Sequence, residues 1–204
     1  NYKASRRSLR SIYEINDFPQ EVLQHISKIK NKIIECSPNF KPVFDAYNKV
    51  LQDNNLVDLD DLIWLTVNIM KKDENLRQYL HKRFKHILID EYQDTNDIQN
   101  EMIKLILSPT ASLCVVGDDD QCIYEWRGSK PQYIREFAIK SNVETIFLND
   151  NFRSQNYVVE LANKFIANNQ DRIEKSMIPR IETKIKPLFR RFYNANTEAE
   201  FIAK

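Results

Sequence analysis

"ILIDEYQD", residues 87–94, passes from three apolar residues to three carboxylates within eight positions. A second stretch, "LCVVGDDD" at residues 113–120, makes the same change, and apolar residues between the two recur at helical spacing. Asn96 and Gln99 have the spacing of a helix capping pair at the start of that segment. Short runs that are apolar throughout are typical of parallel strands covered on both faces. The pattern therefore predicts a β-α-β unit and an α/β fold.

The rest of the chain divides around this unit. Four predicted helices precede it, with apolar stripes that begin at Val22, near Pro42, after Asp60 and at Leu76. Asp58, Asp60 and Asp61 are expected to cap the third of these helices and to supply its charged first turn. After the unit we expect a strand over 144–148 and a helix with Val158, Leu161 and Phe165 inward. The stretch "LFRRFY", residues 188–193, alternates weakly between apolar and polar residues, which is compatible with a further strand.

Composition limits the class of protein. The chain has 204 residues, 42% of them hydrophobic and 29% charged, which is enough for a core of ordinary size. No apolar run approaches the roughly 20 residues that cross a bilayer, and the N-terminus lacks the apolar centre of a signal peptide, so we expect no membrane partner and a cytoplasmic location. Three scattered cysteines indicate reduced thiols.

Charge is uneven along the chain. The net charge is only +1, yet basic residues gather in three places, so the sequence is compatible with local basic patches. They are Arg6, Arg7 and Arg10; Lys28, Lys30 and Lys32; and the segment 172–191. The two glycines, Gly117 and Gly128, exclude a phosphate loop of the GxxxxGK[ST] kind from these 204 residues.

The acidic residues that follow the predicted strands point to a cation site. In open parallel sheets, ligands bind beyond the carboxyl ends of the strands. Five carboxylates brought to one edge (Asp90, Glu91 and 118–120) repel one another unless a cation lies between them. Mg²⁺ takes oxygen ligands and shares them with phosphate. Two alternatives stay open: solvated loop acids, and a metal-dependent phosphohydrolase or nuclease.

Four stretches together resemble one family. "NNLVDLDDLI", "ILIDEYQDTNDIQ", "VVGDDDQCIYEWRGS" and "LNDNFRS" are similar, in order and spacing, to motifs of superfamily 1 DNA helicases of the UvrD/Rep/PcrA type, and the resemblance runs from about Phe44 to the C-terminus. Cys122 stands where the family usually has serine, and Phe152 where it has tyrosine. The resemblance implies a partial RecA-like (P-loop NTPase-type) parallel sheet with an N-terminal helical insertion.

The implied domains are 1–84, part of the helical insertion; 85–185, the second half of the first motor domain; and 186–204, the start of the second motor domain. The P-loop is expected upstream of residue 1. Without it and the remainder of the helicase, the fragment alone is expected to hydrolyse no ATP.

The resemblance also assigns roles at the nucleotide. ATP and Mg²⁺ are the implied cofactors, with Asp90 and Glu91 at the metal and Glu91 also orienting and deprotonating the attacking water. Gln121 is expected to sense the γ-phosphate, and Arg153 to neutralise charge on the transferred phosphoryl group. Arg127 is expected to face the nucleotide side or an acidic residue of the motifs, and so to couple the nucleotide and DNA sites. A surface ion pair is the alternative for Arg153. Gln93 and Asp94 are expected to hold the motif's internal network together.

The aromatic residues of "IYEWRG" concern DNA. Tyr124 and Trp126 are expected on one side of an extended stretch; they are core aromatics or, by resemblance, faces on which single-stranded DNA bases stack. The family implies duplex unwinding with 3′ to 5′ polarity and a place in DNA repair. A catalytically dead DNA-binding module is the remaining alternative.

Overall fold

The computed structural model describes residues 18–203, which belong to two compact units that divide between Val143 and Glu144. The basic residues Arg6, Arg7 and Arg10 lie outside the described residues. Each unit is built from helices and a pair of parallel strands, which confirms the α/β class. No helix in the range 18–203 is both long enough and apolar enough to span a bilayer.

The first unit contains the predicted β-α-β arrangement. Its helices are α1 (Phe18–Lys30), α2 (Lys41–Asp53), α3 (Asp61–Lys72), α4 (Glu74–Arg83), α5 (Asp97–Ile106) and α6 (Gln132–Ala138). Its strands are β1 (His86–Ile89) and β2 (Ser112–Val115), which pair in parallel from His86 opposite Ser112 to Ile89 opposite Val115. Single turns of 3₁₀ helix cover Tyr92–Asp94, Asp119–Gln121 and Glu125–Arg127.

Two apolar clusters hold the first unit together. Ile26 and Ile29 of α1, on the apolar stripe that begins at Val22, pack with Phe40, which precedes α2, and with Phe44 of α2. The second cluster is formed by Val67, Met70 and Ile98, and it joins α3 to α5. The helical segment therefore packs on the β-α-β unit through α5, the helix that follows the acidic end of β1.

Local side-chain chemistry fixes the start of α5. Asn96 accepts a hydrogen bond from the backbone of Gln99, and the Gln99 side chain accepts one from the backbone of Asn96. This capping box confirms the predicted pair and satisfies two of the backbone donors that a helix N-terminus leaves without intrahelical partners. The capping box thereby fixes Asn96 as the residue at which the segment after β1 ends and α5 begins.

Lys30 differs from the expectation of an exposed basic patch. Its side chain is fully buried, and its ammonium group donates to Asp58 at 2.7 Å and to Asp61 at 2.6 Å. It also lies over the rings of Tyr47 and Trp64. A buried ammonium must be compensated by charge and hydrogen bonds, and these carboxylates do so. We call Lys30, Tyr47, Asp58, Asp61 and Trp64 the lysine cluster.

The predicted acidic cap of α3 is confirmed for Asp58 and Asp61 but not for Asp60. Asp60 occupies the capping position, yet its side chain makes no capping hydrogen bond. Asp58 and Asp61 instead bond each other's backbone amides reciprocally, at 2.8 and 3.1 Å. The Asp60 carboxylate accepts from Asn31 at 2.7 Å. Because all three acids are engaged in this way, their role in the fold is structural.

The second unit has its own α/β core. It contains β3 (Asp150–Gln155), α7 (Asn156–Ile166), β4 (Ile178–Ile181) and α8 (Ala195–Ile202). β3 and β4 are parallel and begin with Asp150 opposite Ile178. Arg180 forms an ion pair with Asp150 at 2.7 Å across the two strands. The predicted helix around Leu161 is present as α7, but its inward face was predicted wrongly. Val158, Leu161 and Phe165 are 47%, 58% and 76% exposed, and Val159 is the buried residue.

Two strand predictions for this unit fail. Residues 144–148 form no strand, and Ile146 and Leu148 are 73% and 87% exposed; the strand instead starts at Asp150, where pairing with β4 begins. Residues 188–193 form no strand either. Because β3, α7 and β4 pack on one another, residues 144–185 join the second unit, whereas the boundary was predicted at 185/186.

Candidate functional site

The two acidic runs leave the first unit's sheet at the same edge. Parallel pairing brings Ile89 opposite Val115, so Asp90 and Val116 are the next residues of their strands. Val116 donates to the Ile89 carbonyl at 2.7 Å, and the Tyr92 amide donates to the Val116 carbonyl at 3.0 Å. We call this region, with Asp90, Glu91 and 118–121, the acidic edge.

A single buried amide side chain joins the two runs. Gln93, 1% exposed, donates to the Glu91 carboxylate at 2.7 Å and accepts from the Asp118 backbone amide at 3.1 Å. Glu91 has a φ of 50°, in the left-handed region that non-glycine residues seldom adopt. Its conformation is therefore imposed by its surroundings, and Gln93 provides the network that the sequence predicted.

Gln121 lies against the second acidic run. Its side-chain amide donates to Asp118 at 2.8 Å, and the other carboxylate oxygen of Asp118 accepts from the Asp120 backbone at 3.1 Å. Gln121 is exposed, and its amide carbonyl offers an acceptor beside this donor. The structure thus places Gln121 on the acidic edge, within reach of Asp118.

The acids of this edge differ in how they are compensated. Asp118, Asp119 and Asp120 bring carboxylate oxygens within 4.8 Å of one another, but Asp119 is buried and forms an ion pair with Arg135 of α6 at 3.0 Å. Asp119 is therefore neutralised inside the fold. Neither motif nor spacing in the sequence singled out Arg135.

Asp90 and Glu91 are both exposed, and within residues 18–203 neither forms an ion pair with lysine or arginine. Among the residues that the structure describes, the Asp90 carboxylate accepts a hydrogen bond from the Glu91 backbone amide alone, at 2.9 Å. Exposed carboxylate oxygens held by amides are the hard donors that Mg²⁺ prefers, so this donor set fits the ion. These two residues have the charge to bind a cation from outside the chain.

Asp94 ends the turn that follows Glu91. Its Oδ1 atom is buried and has no hydrogen-bond partner among the described residues, and burial together with the nearby Glu91 charge raises the pKa of its carboxyl group. Asp90, Glu91 and Asp94 contribute to the lining of an otherwise mainly apolar cavity of about 650 Å³ beside β1. Asp94 is thus a polar residue in a largely apolar setting.

The aromatic segment is a turn, which corrects the predicted extended stretch. Glu125–Arg127 is 3₁₀ helical, and Gly128 ends it with a φ of 86°. Tyr124 is 40% exposed and Trp126 is 68% exposed, so neither is a core residue. We call residues 124–128 the aromatic turn. A Cβ at Gly128 would lie 2.6 Å from Ile33, so this residue also needs to be glycine for space.

Arg127 and Arg153 lie in different units. The Arg127 guanidinium is centred 4.5 Å from the Trp126 ring and 5.7 Å from the Tyr124 ring, so it stacks with the aromatic turn. Arg153 is an exposed residue of β3, where its backbone amide bonds Asn151 at 3.1 Å. Within the described residues its guanidinium forms no ion pair.

Comparison with known proteins identifies two family regions. Residues 3–142 match the UvrD/REP helicase N-terminal domain, and residues 146–204 match the UvrD-like helicase C-terminal domain. The boundary between the matches agrees with the division between the two compact units.

Curated relatives agree with these matches. The chain is 31% identical to a probable DNA helicase II homolog of Mycoplasma capricolum, over 94% of this chain and 27% of the relative. It is 36% identical to the ATP-dependent DNA helicase Rep of Buchnera aphidicola, over 81% and 25%. It is 37% identical to the ATP-dependent DNA helicase PcrA of Staphylococcus aureus, over 79% and 22%. The chain spans about a quarter of the length of these relatives. It belongs to the UvrD/REP helicase family.

Proposed function

We propose that this chain supplies the nucleotide-hydrolysing edge and the single-stranded DNA surface of an ATP-dependent DNA helicase. Relatives that match most of the chain carry the names of ATP-dependent DNA helicases. The observation that carries the proposal is the bridge through Gln93, which fastens Glu91 to the second acidic run at the ends of two parallel strands. This is the position at which open α/β sheets bind ligands.

Asp90 and Glu91 are the proposed residues at Mg²⁺ and ATP. When bound, Mg²⁺ supplies positive charge that offsets the phosphate oxygens. Glu91 orients the attacking water and accepts its proton, and Gln93 holds the Glu91 carboxylate for this task. Gln121 holds its side-chain amide next to Asp118. Because this amide both donates and accepts hydrogen bonds, it is the proposed group that detects the terminal phosphate of ATP.

Arg153 is the proposed arginine that neutralises charge on the transferred phosphoryl group. It belongs to the second unit, whereas Glu91 and Gln121 belong to the first. Its guanidinium is exposed and forms no ion pair within residues 18–203, which leaves it available for phosphate. Arginines in this role contribute about 10³ to 10⁵ in rate.

Tyr124 and Trp126 are the proposed stacking faces for single-stranded DNA. Their exposure on a short turn is what a stacking platform requires, and stacking contributes about 1–3 kcal/mol per base without regard to sequence. Arg127, whose guanidinium lies over Trp126, is proposed to couple this aromatic surface to the nucleotide side. We further propose 3′ to 5′ movement, duplex unwinding, a role in DNA repair and a cytoplasmic location by family membership.

The test is binding of this chain to fluorescein-labelled oligo(dT), followed by anisotropy. Trp126→Ala is expected to weaken binding by about 5- to 150-fold, the value of one stacked base. Tyr79→Ala is the matched control, because Tyr79 is an exposed aromatic residue of α4, 55% exposed. Equal affinities for the two variants and the parent chain would refute the DNA surface.

The same samples separate the rival functions. Incubation with DNA and Mg²⁺ in the absence of ATP is expected to leave the DNA intact, whereas cleavage that Asp90→Asn abolishes would establish a nuclease. A catalytically dead DNA-binding module would keep the effect of Trp126→Ala but bind no metal at Asp90 and Glu91.

A further inference from the structure

Ser129 follows the aromatic turn and is buried, at 6% exposure. Its hydroxyl donates to the Asp94 carbonyl at 2.7 Å. Asp94 is the last residue of the 3₁₀ turn that begins directly after Glu91. One side chain therefore connects the segment that carries the aromatic residues to the segment that carries the acidic ones, across 35 positions of sequence.

The backbone of Ser129 also closes the aromatic turn. Its amide donates to the Tyr124 carbonyl at 3.3 Å, and the Gly128 amide donates to the Glu125 carbonyl at 2.8 Å. Ser129 is thus hydrogen-bonded on one side to the first residue of the aromatic turn and on the other to Asp94. The exposed Trp126 lies within the turn that the Ser129 and Gly128 amides close.

The next residue repeats the connection. The Lys130 amide donates to the Thr95 carbonyl at 3.0 Å, and its ammonium group contacts Asp97 at 2.8 Å. Tyr133 donates to the same carboxylate. These bonds hold the chain after Ser129 whether or not the Ser129 hydroxyl is present. Loss of that hydroxyl should therefore loosen the aromatic turn without releasing the whole segment.

We infer that Ser129 is a positioning residue that fixes how Trp126 is presented to single-stranded DNA, a role that rests on the proposed function. The hydroxyl is the one polar group of the Ser129 side chain, and it donates its hydrogen bond to the Asp94 backbone carbonyl in the segment after Glu91. A buried hydrogen bond of this kind favours one arrangement of the turn, because breaking it leaves the carbonyl oxygen without a hydrogen-bond donor, which costs free energy. Ser129 touches neither DNA nor nucleotide in this role.

The experiment is a double-mutant cycle on oligo(dT) affinity with Ser129→Ala and Trp126→Ala. Ser129→Ala is expected to weaken binding by about twofold to tenfold, the range of one hydrogen bond. In the Trp126→Ala background it is expected to have no further effect. Ser129→Thr keeps the hydroxyl and is expected to retain most of the parent affinity. Equal losses in both backgrounds, or no loss in either, would overturn the inference.

A second measurement needs no DNA. The chain labelled with 5-fluorotryptophan gives two ¹⁹F signals, from Trp64 and Trp126, because it has two tryptophans. Ser129→Ala is expected to shift or broaden the Trp126 signal and to leave that of Trp64, in the lysine cluster, unchanged. Equal changes in both signals would indicate general loosening and would contradict a positioning role.

The two proposals fail differently. If Trp126→Ala leaves DNA affinity unchanged, the proposed DNA surface is wrong, and the fluorine signals still decide whether Ser129 orders Trp126. If Trp126→Ala weakens binding while Ser129→Ala moves neither the affinity nor the Trp126 signal, the DNA surface stands and Ser129 has no part in it.

Discussion

The first unit holds two groups of carboxylates in opposite surroundings. In the lysine cluster, Asp58 and Asp61 face the ammonium group of a completely buried Lys30. At the acidic edge, Asp90 and Glu91 are exposed and are held by a backbone amide and by Gln93. Charge that the chain compensates internally stabilises the fold, whereas charge held only by amides is available to a cation from outside.

The lysine cluster is closely coupled. Burial and the hydrogen bond to Asp58 raise the pKa of Tyr47 to about 12. The Lys30 ammonium lies 5.2 Å from the centre of the Tyr47 ring and 5.6 Å from that of Trp64, so it has aromatic faces as well as carboxylates around it. Removing one of the charged side chains would leave its partner buried and uncompensated.

The largest expected effect comes from Lys30→Met. Removing the cation leaves Asp61, 4% exposed, as a buried and uncompensated charge, and breaking a buried pair in this way costs about 3–5 kcal/mol. Urea unfolding followed by tryptophan fluorescence measures the loss. Lys49→Met is the control, because Lys49 pairs with Asp53 on an exposed helical face and contributes about 0.5 kcal/mol or less. Equal losses for the two variants would mean that the buried Lys30 contributes no more to stability than an exposed lysine.

A smaller effect is expected from acid. Burial favours the protonated form of Asp58, but hydrogen bonds from Lys30, the Asp61 backbone and Tyr47 prevail and lower the pKa of its carboxyl group below the usual 3.8. The stability that this group contributes is therefore fully present above the unfolded-state pKa and is lost as the pH falls through the lower folded-state pKa.

Urea unfolding between pH 6 and pH 3 measures this contribution. Asp58→Asn is expected to start from a lower free energy of unfolding and to lose less of it over that range than the parent chain. If the variant and the parent lost the same amount, Asp58 would have no place in the acid response.

The smallest expected effect on stability comes from Asp90→Asn. The variant keeps an oxygen that accepts from the Glu91 amide and removes only an exposed charge, so the free energy of unfolding is expected to change by about 0.5 kcal/mol or less. Asp61→Asn, measured in the same urea series, is expected to cost several times more because it leaves Lys30 with one carboxylate fewer. Similar values for the two variants would mean that the acidic edge is also structural.

Features set by neighbouring residues were predictable from the sequence. The apolar-to-acidic change at residues 87–94, its counterpart before Asp118 and the Asn96–Gln99 capping box all depend on local spacing, and the structure contains each of them. The family motifs then located both the acidic edge and the aromatic turn. Periodicity and capping act over a few residues, so one sequence is enough to see them.

Features that join distant segments were not predictable. Lys30 meets Asp58 and Asp61 across 28 and 31 positions, so its burial is invisible in a local pattern. The aromatic turn is held by Ser129 and Asp94, whereas its sequence alone indicated an extended stretch. β4 was missed because Pro179 interrupts the short run "IPRI", and its pairing with β3 is decided by the fold of the second unit.

The most direct test of the account is a Mn²⁺ titration of the ¹⁵N-labelled chain, with Mn²⁺ standing in for Mg²⁺. The account predicts that the amides of residues 90–94 and 118–121 broaden first, that those of residues 58–61 in the lysine cluster stay sharp, and that Asp90→Asn with Glu91→Gln weakens the effect. Broadening that begins at residues 58–61, or that spreads evenly over the acidic surface and survives both substitutions, would contradict a cation site at the acidic edge.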